Sequence, residues 1–148
     1  MNIRPATLAD CLPFKEMHLE FLKEVQQYGH DDPPSDHYVE SVWSNHIGRA
    51  INKGEPVFVC EDCGDLIGFV ACTLPTGGPR AFNHGLYVRP EWRRQGIALS
   101  LMEAAKARCR EIGVEKIFDM VGITNEAALK LMAKLGEEPV AFTYKLTA

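Results

Sequence analysis

The stretch Leu86-Tyr87-Val88-Arg89-Pro90-Glu91-Trp92-Arg93-Arg94-Gln95-Gly96-Ile97-Ala98 joins a strand end, a basic turn and a helix start. The apolar run ahead of Arg89 reads as strand, and Pro90 stops it. After Gly96, the residues Ile97, Leu101, Ala105 and Cys109 fall on one helical stripe. The first turn of a helix leaves N–H groups without intrahelical partners. With the helix dipole, those groups suit a phosphate or pyrophosphate. Small residues at Gly96 and Ala98 let a ligand approach the backbone closely. Arg89, Arg93 and Arg94 form the densest basic cluster in the chain. The competing reading is a solvated arginine turn before an ordinary helix. No GKS or GKT follows, so this is not a nucleotide P-loop, and the glycines do not fit GxGxxG.

The rest of the chain arranges itself around that stretch. Ala81 to Val88 reads as a strand, Gly96 to Ile112 as a helix and Val114 to Val121 as the next strand, with Gly113 where a C′ glycine belongs. A strand–helix–strand unit of this kind is a right-handed parallel crossover. Asn125 to Leu135 is a further helix with Ala128, Leu131, Met132 and Leu135 as its apolar face, and Val140 to Leu146 reads as a last strand. At the other end, Met1 to Pro5 reads as a strand, and Thr7 with Asp10 makes a capping box for a helix reaching about Gln27. Gly29 to Pro34 breaks the chain, and Ser35 or Asp36 caps a second helix that Gly54 ends. Val57 to Cys60 and Leu66 to Thr73 form a hairpin. The order is β-α-α-β-β-β-α-β-α-β. It specifies an α/β fold: a single domain over 1–148, with a mixed sheet, a central parallel strand pair and flanking helices.

Composition narrows the function classes. The chain has 148 residues, 46% hydrophobic and 24% charged, so it is neither disordered nor a disulfide scaffold. A net charge of −4 disfavours a nucleic-acid partner. No apolar run reaches about 18 residues, so no membrane span or membrane partner is expected. The N-terminus lacks an apolar h-region, which points to a cytoplasmic location and reduced thiols. Five cysteines are an odd number, and Cys60-Glu61-Asp62-Cys63 has no second ligand pair at zinc spacing. It reads as one buried strand cysteine and one turn cysteine, and no metal is expected.

Arg93-x-x-Gly96-x-Ala98 resembles the [QR]xxGx[GA] signature of the GNAT superfamily of N-acetyltransferases. Leu86-Tyr87-Val88-x-Pro90 is similar to that family's central-strand pattern, and Asn125-x-x-Ala128-x-x-Leu131 followed by Lys134-Leu135-Gly136 to its second motif. Ile3-Arg4-Pro5-Ala6-Thr7 through Asp10 resembles its opening. The resemblance implies acetyl-CoA as co-substrate and a small-molecule or peptide amine as acceptor. It implies that the backbone of Leu86, Tyr87 and Val88 pairs with the pantetheine arm. It also implies that Arg93, Arg94, Gln95, Gly96, Ile97, Ala98 and Leu99 hold the pyrophosphate, and that Asn125 steadies the pantetheine. A plain N-cap is the other reading of Asn125.

An amine acceptor is mostly ammonium at neutral pH and must lose a proton before it attacks a thioester. His84 lies on the central strand, where some family members carry a histidine, and strand parity would set it beside Leu86 and Val88. The family's usual acid is a tyrosine in the second motif, but Met132 stands there and cannot donate a proton. Tyr144 on the expected last strand is the substitute, unless no acid is needed. The Val88 N–H is a candidate oxyanion donor. The expected activity is direct acetyl transfer in a ternary complex. The alternative is a non-catalytic acyl-CoA-binding module. The acceptor's identity and the oligomeric state, a homodimer included, stay open.

Overall fold

Arg4 and Asp10 fix the first handover from strand to helix. The Arg4 guanidinium donates to both Asp10 carboxylate oxygens at 2.8 and 2.9 Å, and to Glu61 on the neighbouring strand at 3.1 Å. Asp10 also accepts the Thr7 N–H at 2.8 Å, as the capping box requires. Arg4 holds the Asp10 carboxyl below the usual carboxylate range.

The computed structural model describes residues 1–148. Its strands are β1 (Asn2–Pro5), β2 (Val57–Asp62), β3 (Asp65–Thr73), β4 (Arg80–Val88) and β5 (Lys116–Phe118). Its helices are α1 (Cys11–Val25), α2 (Asp36–Val42), α3 (Gly48–Asn52), α4 (Ile97–Glu111) and α5 (Glu126–Lys134). The sheet order is β1-β2-β3-β4-β5, antiparallel except for the parallel pair β4–β5. Phe14, Met17, Ile47 and Phe69 pack between the sheet and α1–α3, while Val70, Leu101 and Met102 pack between the other face and α4. Each such buried side chain contributes about 1.5–3 kcal/mol. No helix is long and apolar enough to cross a membrane. Cys60 is buried on its strand, and Cys63 is exposed in the turn after it.

Three features depart from the sequence pattern. The second helix is not continuous, because a π-turn over Trp43–Ile47 separates α2 from α3. That wider turn keeps Val42, Trp43, Ile47 and Ala50 in the core and brings His46 against the sheet. The strand expected from Val114 to Val121 shrinks to Lys116–Phe118, and Val140 to Leu146 forms no strand. Val140, Phe142, Tyr144 and Leu146 alternate as a strand would, yet they are 69, 81, 90 and 94% exposed. An alternating pattern states what a segment does beside a partner strand, and no partner lies beside this one. The parallel pair therefore stands at the sheet edge.

The third departure is a bulge in β4. Val70 pairs with Leu86 and Cys72 with Asn83, so Ala71 faces both His84 and Gly85. The extra residue changes the parity. His84 lies on the α1 side, donating to or accepting from Thr73 Oγ1 at 2.8 Å, whereas Leu86 and Val88 pack on the α4 side. The sequence expectation that His84 shares a face with Leu86 and Val88 is thus reversed. Gly85 fits the bulge because a Cβ there would lie 3.1 Å from the rings of Phe21 and Phe69. Gly85→Val is expected to overpack this site and cost about 2–3 kcal/mol. A urea denaturation midpoint equal to that of the parent would show that the bulge tolerates a side chain.

Candidate functional site

β4 and β5 pair only from Arg80 with Lys116 to Phe82 with Phe118, then part. Beyond Phe82, the outer edge of β4 has no strand beside it. The Arg89 N–H donates inward to Ile67 O on β3 at 2.9 Å. Alternation then turns the N–H groups of Leu86 and Val88 to the open edge. A groove of roughly 780 Å³ follows that edge, walled by α1, the start of α4, the loop after β5 and α5. That volume lies within the usual range for small-molecule sites.

The turn into α4 forms the groove's second backbone surface. Pro90–Trp92 is a single 3-10 turn, Arg94 sits at φ +62° and Gly96 at φ +78°. The left-handed backbone explains Gly96, while at Arg94 it costs about 1–2 kcal/mol. Successive N–H groups so turned make a concave anion-binding nest. From Arg94 to Leu99, no backbone N–H donates to an acceptor within the protein.

The three arginines do not act together, as their spacing in sequence suggested. Arg89 bonds Glu20 on α1 at 3.3 Å, and Arg93 is bidentate to Glu24 on α1 at 2.7 and 2.6 Å. Arg93 also donates to Val88 O at 2.8 Å and lies over the Tyr87 ring. Both cations are spent pinning α1 across β4, which leaves Arg94 without an ion pair.

Of the residues singled out from sequence, His84, Leu86, Tyr87, Val88, Arg93, Arg94, Gly96, Ile97, Ala98, Leu99 and Asn125 all line the groove. Gln95 does not. Nor does Tyr144, which is 90% exposed on the unpaired C-terminal segment. Asn125 is the N-cap of α5, its Oδ1 accepting the Ala128 N–H at 3.2 Å. That bond leaves its amide NH₂ free beside the groove.

Two groups of residues escaped the sequence reading. The first surrounds His84. The His46 ring stacks on His84 at 5.0 Å, and His18 on α1 is 3% exposed. Burial, then His46, lowers the His84 pKa, and burial drives His18 down to about 4. Asp32 acts in the opposite direction on both. The second group is Asn83, Asp119 and Glu137. Asn83 donates to Asp119 Oδ1 at 2.6 Å across the parted strands, and Asp119 Oδ2 is buried against Glu137. Burial raises both carboxyls, Glu137 to about 7. Neither group has a local signature. One depends on the bulge and the π-turn, and the other on where two distant segments meet.

The buried histidine makes stability pH-dependent. His18 has a folded pKa of about 4 against an ordinary 6.5. The unfolded chain therefore gains the proton first, and folding weakens as pH falls from 6.5 to 4, by about 3 kcal/mol in all. Glu137 opposes this over part of the window, since its raised pKa favours the folded state at lower pH. His18→Leu isolates the histidine. Urea unfolding at pH 7 and pH 4.5 should show a smaller acid loss in the variant than in the parent, and equal losses would sink the assignment.

Residues 17–136 match the model of the acetyltransferase (GNAT) family. An uncharacterized N-acetyltransferase of Methanocaldococcus jannaschii is 27% identical over 144 residues, which is 93% of this chain and 60% of the relative's own length. Among solved structures, the aminoglycoside N-acetyltransferase AAC(6')-Iy in complex with CoA gives a TM-score of 0.73 at 17% identity, covering 99% of this chain and 93% of that one. The ribosomal-protein-alanine N-acetyltransferase from Brucella melitensis gives 0.72 at 21% identity, covering 92% and 83%. At these identities the likeness is one of fold. With a family match that runs from α1 through α5 and takes in the parted strands and the turn into α4, the chain belongs to the acetyltransferase (GNAT) family.

Proposed function

We propose that the chain is an N-acetyltransferase that moves the acetyl group of acetyl-CoA to a primary amine by direct transfer in a ternary complex. One observation carries this reading: two unsatisfied backbone surfaces meet in one groove. They are the open edge of β4 at Leu86 and Val88 and the free N–H groups from Arg94 to Leu99. A pantetheine arm has amides that pair with a strand edge. A pyrophosphate takes the N–H groups of the helix start, with Arg94 beside it. The free NH₂ of Asn125 serves as a further donor to the arm. Both cores and the groove are built on one sheet, in line with a single catalytic domain over 1–148.

His84 is the proton acceptor. With Nε2–H donated to Thr73 Oγ1, Nδ1 takes the ammonium proton, directly or through a water. The amine lone pair then forms the C–N bond at the thioester carbonyl, and the C–S bond breaks to release the CoA thiolate. The outward N–H of Val88 faces the charge that develops on the carbonyl oxygen. Met132 lines the groove and Tyr144 stands outside it, so the thiolate leaves without a protein acid. A thiol pKa near 8.5 makes that omission cheap at neutral pH. None of the five cysteines lines the groove, which supports direct transfer over an acyl-cysteine route. The missing acid also favours the second reading, a CoA-binding module without turnover.

Calorimetry should give a CoA dissociation constant below about 100 µM. Release of free thiol on a panel of primary amines separates the two readings, since the binding module gives none. Because burial lowers His84 from the ordinary 6.5 and only neutral imidazole accepts a proton, the acid limb of kcat/KM should lie below pH 6.5. His84→Gln should cut kcat about 10²–10⁴-fold, remove that limb and leave CoA affinity in place. An unchanged limb in His84→Gln would exclude the base role.

A further inference from the structure

We infer that the acceptor is a compact primary monoamine with an aromatic or aliphatic body; the inference rests on the acetyl-transfer reading above. The part of the groove around His84 decides its chemistry. Phe21 on α1 packs against Gly85 and Tyr87, and Tyr28, Tyr38 and Val42 line the same end. This wall offers aromatic and aliphatic surface to a ligand body, and its polar groups are His18, His30, Asp32 and His84 with the two tyrosines.

Charge makes the case more specific. The carboxylates lining the groove are Glu24, Asp32 and Asp119. Glu24 is held bidentate by Arg93, and Asp119 is bonded to Asn83 and buried against Glu137. Asp31, next to Asp32, pairs with Lys145. Asp32 alone has no cation. It lines the groove with Tyr38 and lies close enough to His18 and His84 to influence both. One uncommitted carboxylate matches one ammonium. A polyamine or an aminoglycoside would bring several positive charges to this end and find a partner for one. Each of the others would be desolvated against aromatic walls or would keep the ligand in solvent.

The test uses the full chain, saturating acetyl-CoA and free-thiol release. Along a series of straight-chain alkylamines, kcat/KM should rise about fourfold per added methylene until the groove is full. 2-Phenylethylamine should exceed spermidine and kanamycin at least tenfold. Asp32→Asn, an exposed loop change, should raise KM for 2-phenylethylamine about tenfold, the loss of one charge-assisted contact, and lower kcat less than threefold. Equal or faster turnover of spermidine, kanamycin or an N-terminal peptide overturns this inference and leaves the acetyl-transfer reading standing. So does a flat alkylamine series, or an Asp32→Asn variant with the parent's KM. Absence of CoA binding, or binding with no thiol release on any amine, overturns both.

Discussion

Beyond Phe82 the outer edge of β4 has no strand to bond, and the rest of the molecule is organised around that gap. Backbone N–H and C=O groups must find partners, and an open edge ordinarily invites another chain. Here the edge is enclosed by α1 and by the loop that leaves β5 at Asp119. That loop passes Tyr28 so closely that a Cβ at Gly122 would overlap the Tyr28 carbonyl oxygen. A ligand can reach the edge, whereas a second sheet would collide with these walls.

Keeping the strands apart takes fixed contacts on both sides. Glu20 and Glu24 tie α1 to Arg89, Arg93 and Tyr87, and Asn83 bridges to Asp119 where the strands part. The two ion pairs are partly exposed and contribute at most about 1 kcal/mol each. Their importance is geometric: they set the distance from α1 to the edge. The bulge at His84 and Gly85 completes the arrangement. It rotates one titratable side chain toward α1 while Leu86 and Val88 keep their places on the edge.

How much of this could be read from the sequence follows from how local each feature is. The helix start at Gly96, the cap at Asn125 and the box at Thr7 and Asp10 are short patterns with local physical causes, and the structure carries them where the residues stand. The end of the groove at the α4 start is made largely of such backbone, so it is legible in the sequence. The face of His84 is not legible in one strand's alternation, because a bulge is a property of two strands together. Arg89 and Arg93 stand beside Arg94 in the sequence, but their glutamate partners lie on α1, far away in the chain. Asp119 and Glu137 gave no sign of their meeting. Tyr144 had the right alternation and no neighbouring strand.

The two ends of the groove therefore work by different physics. With Arg89 and Arg93 committed to glutamates, the α4 start offers an anion oriented N–H dipoles and Arg94. Directional donors of that kind are short-range and screened less by salt than a cluster of free cations would be. They also depend on backbone shape, which many sequences can supply. The end around His84 is made of side chains: the buried His18, the half-buried His84, aromatic walls and the carboxylate of Asp32. The net charge of −4 does not describe either end, since most of the nearby charge is paired internally. The side chains that shape the His84 end thus come from α1, the loop before α2 and the π-turn.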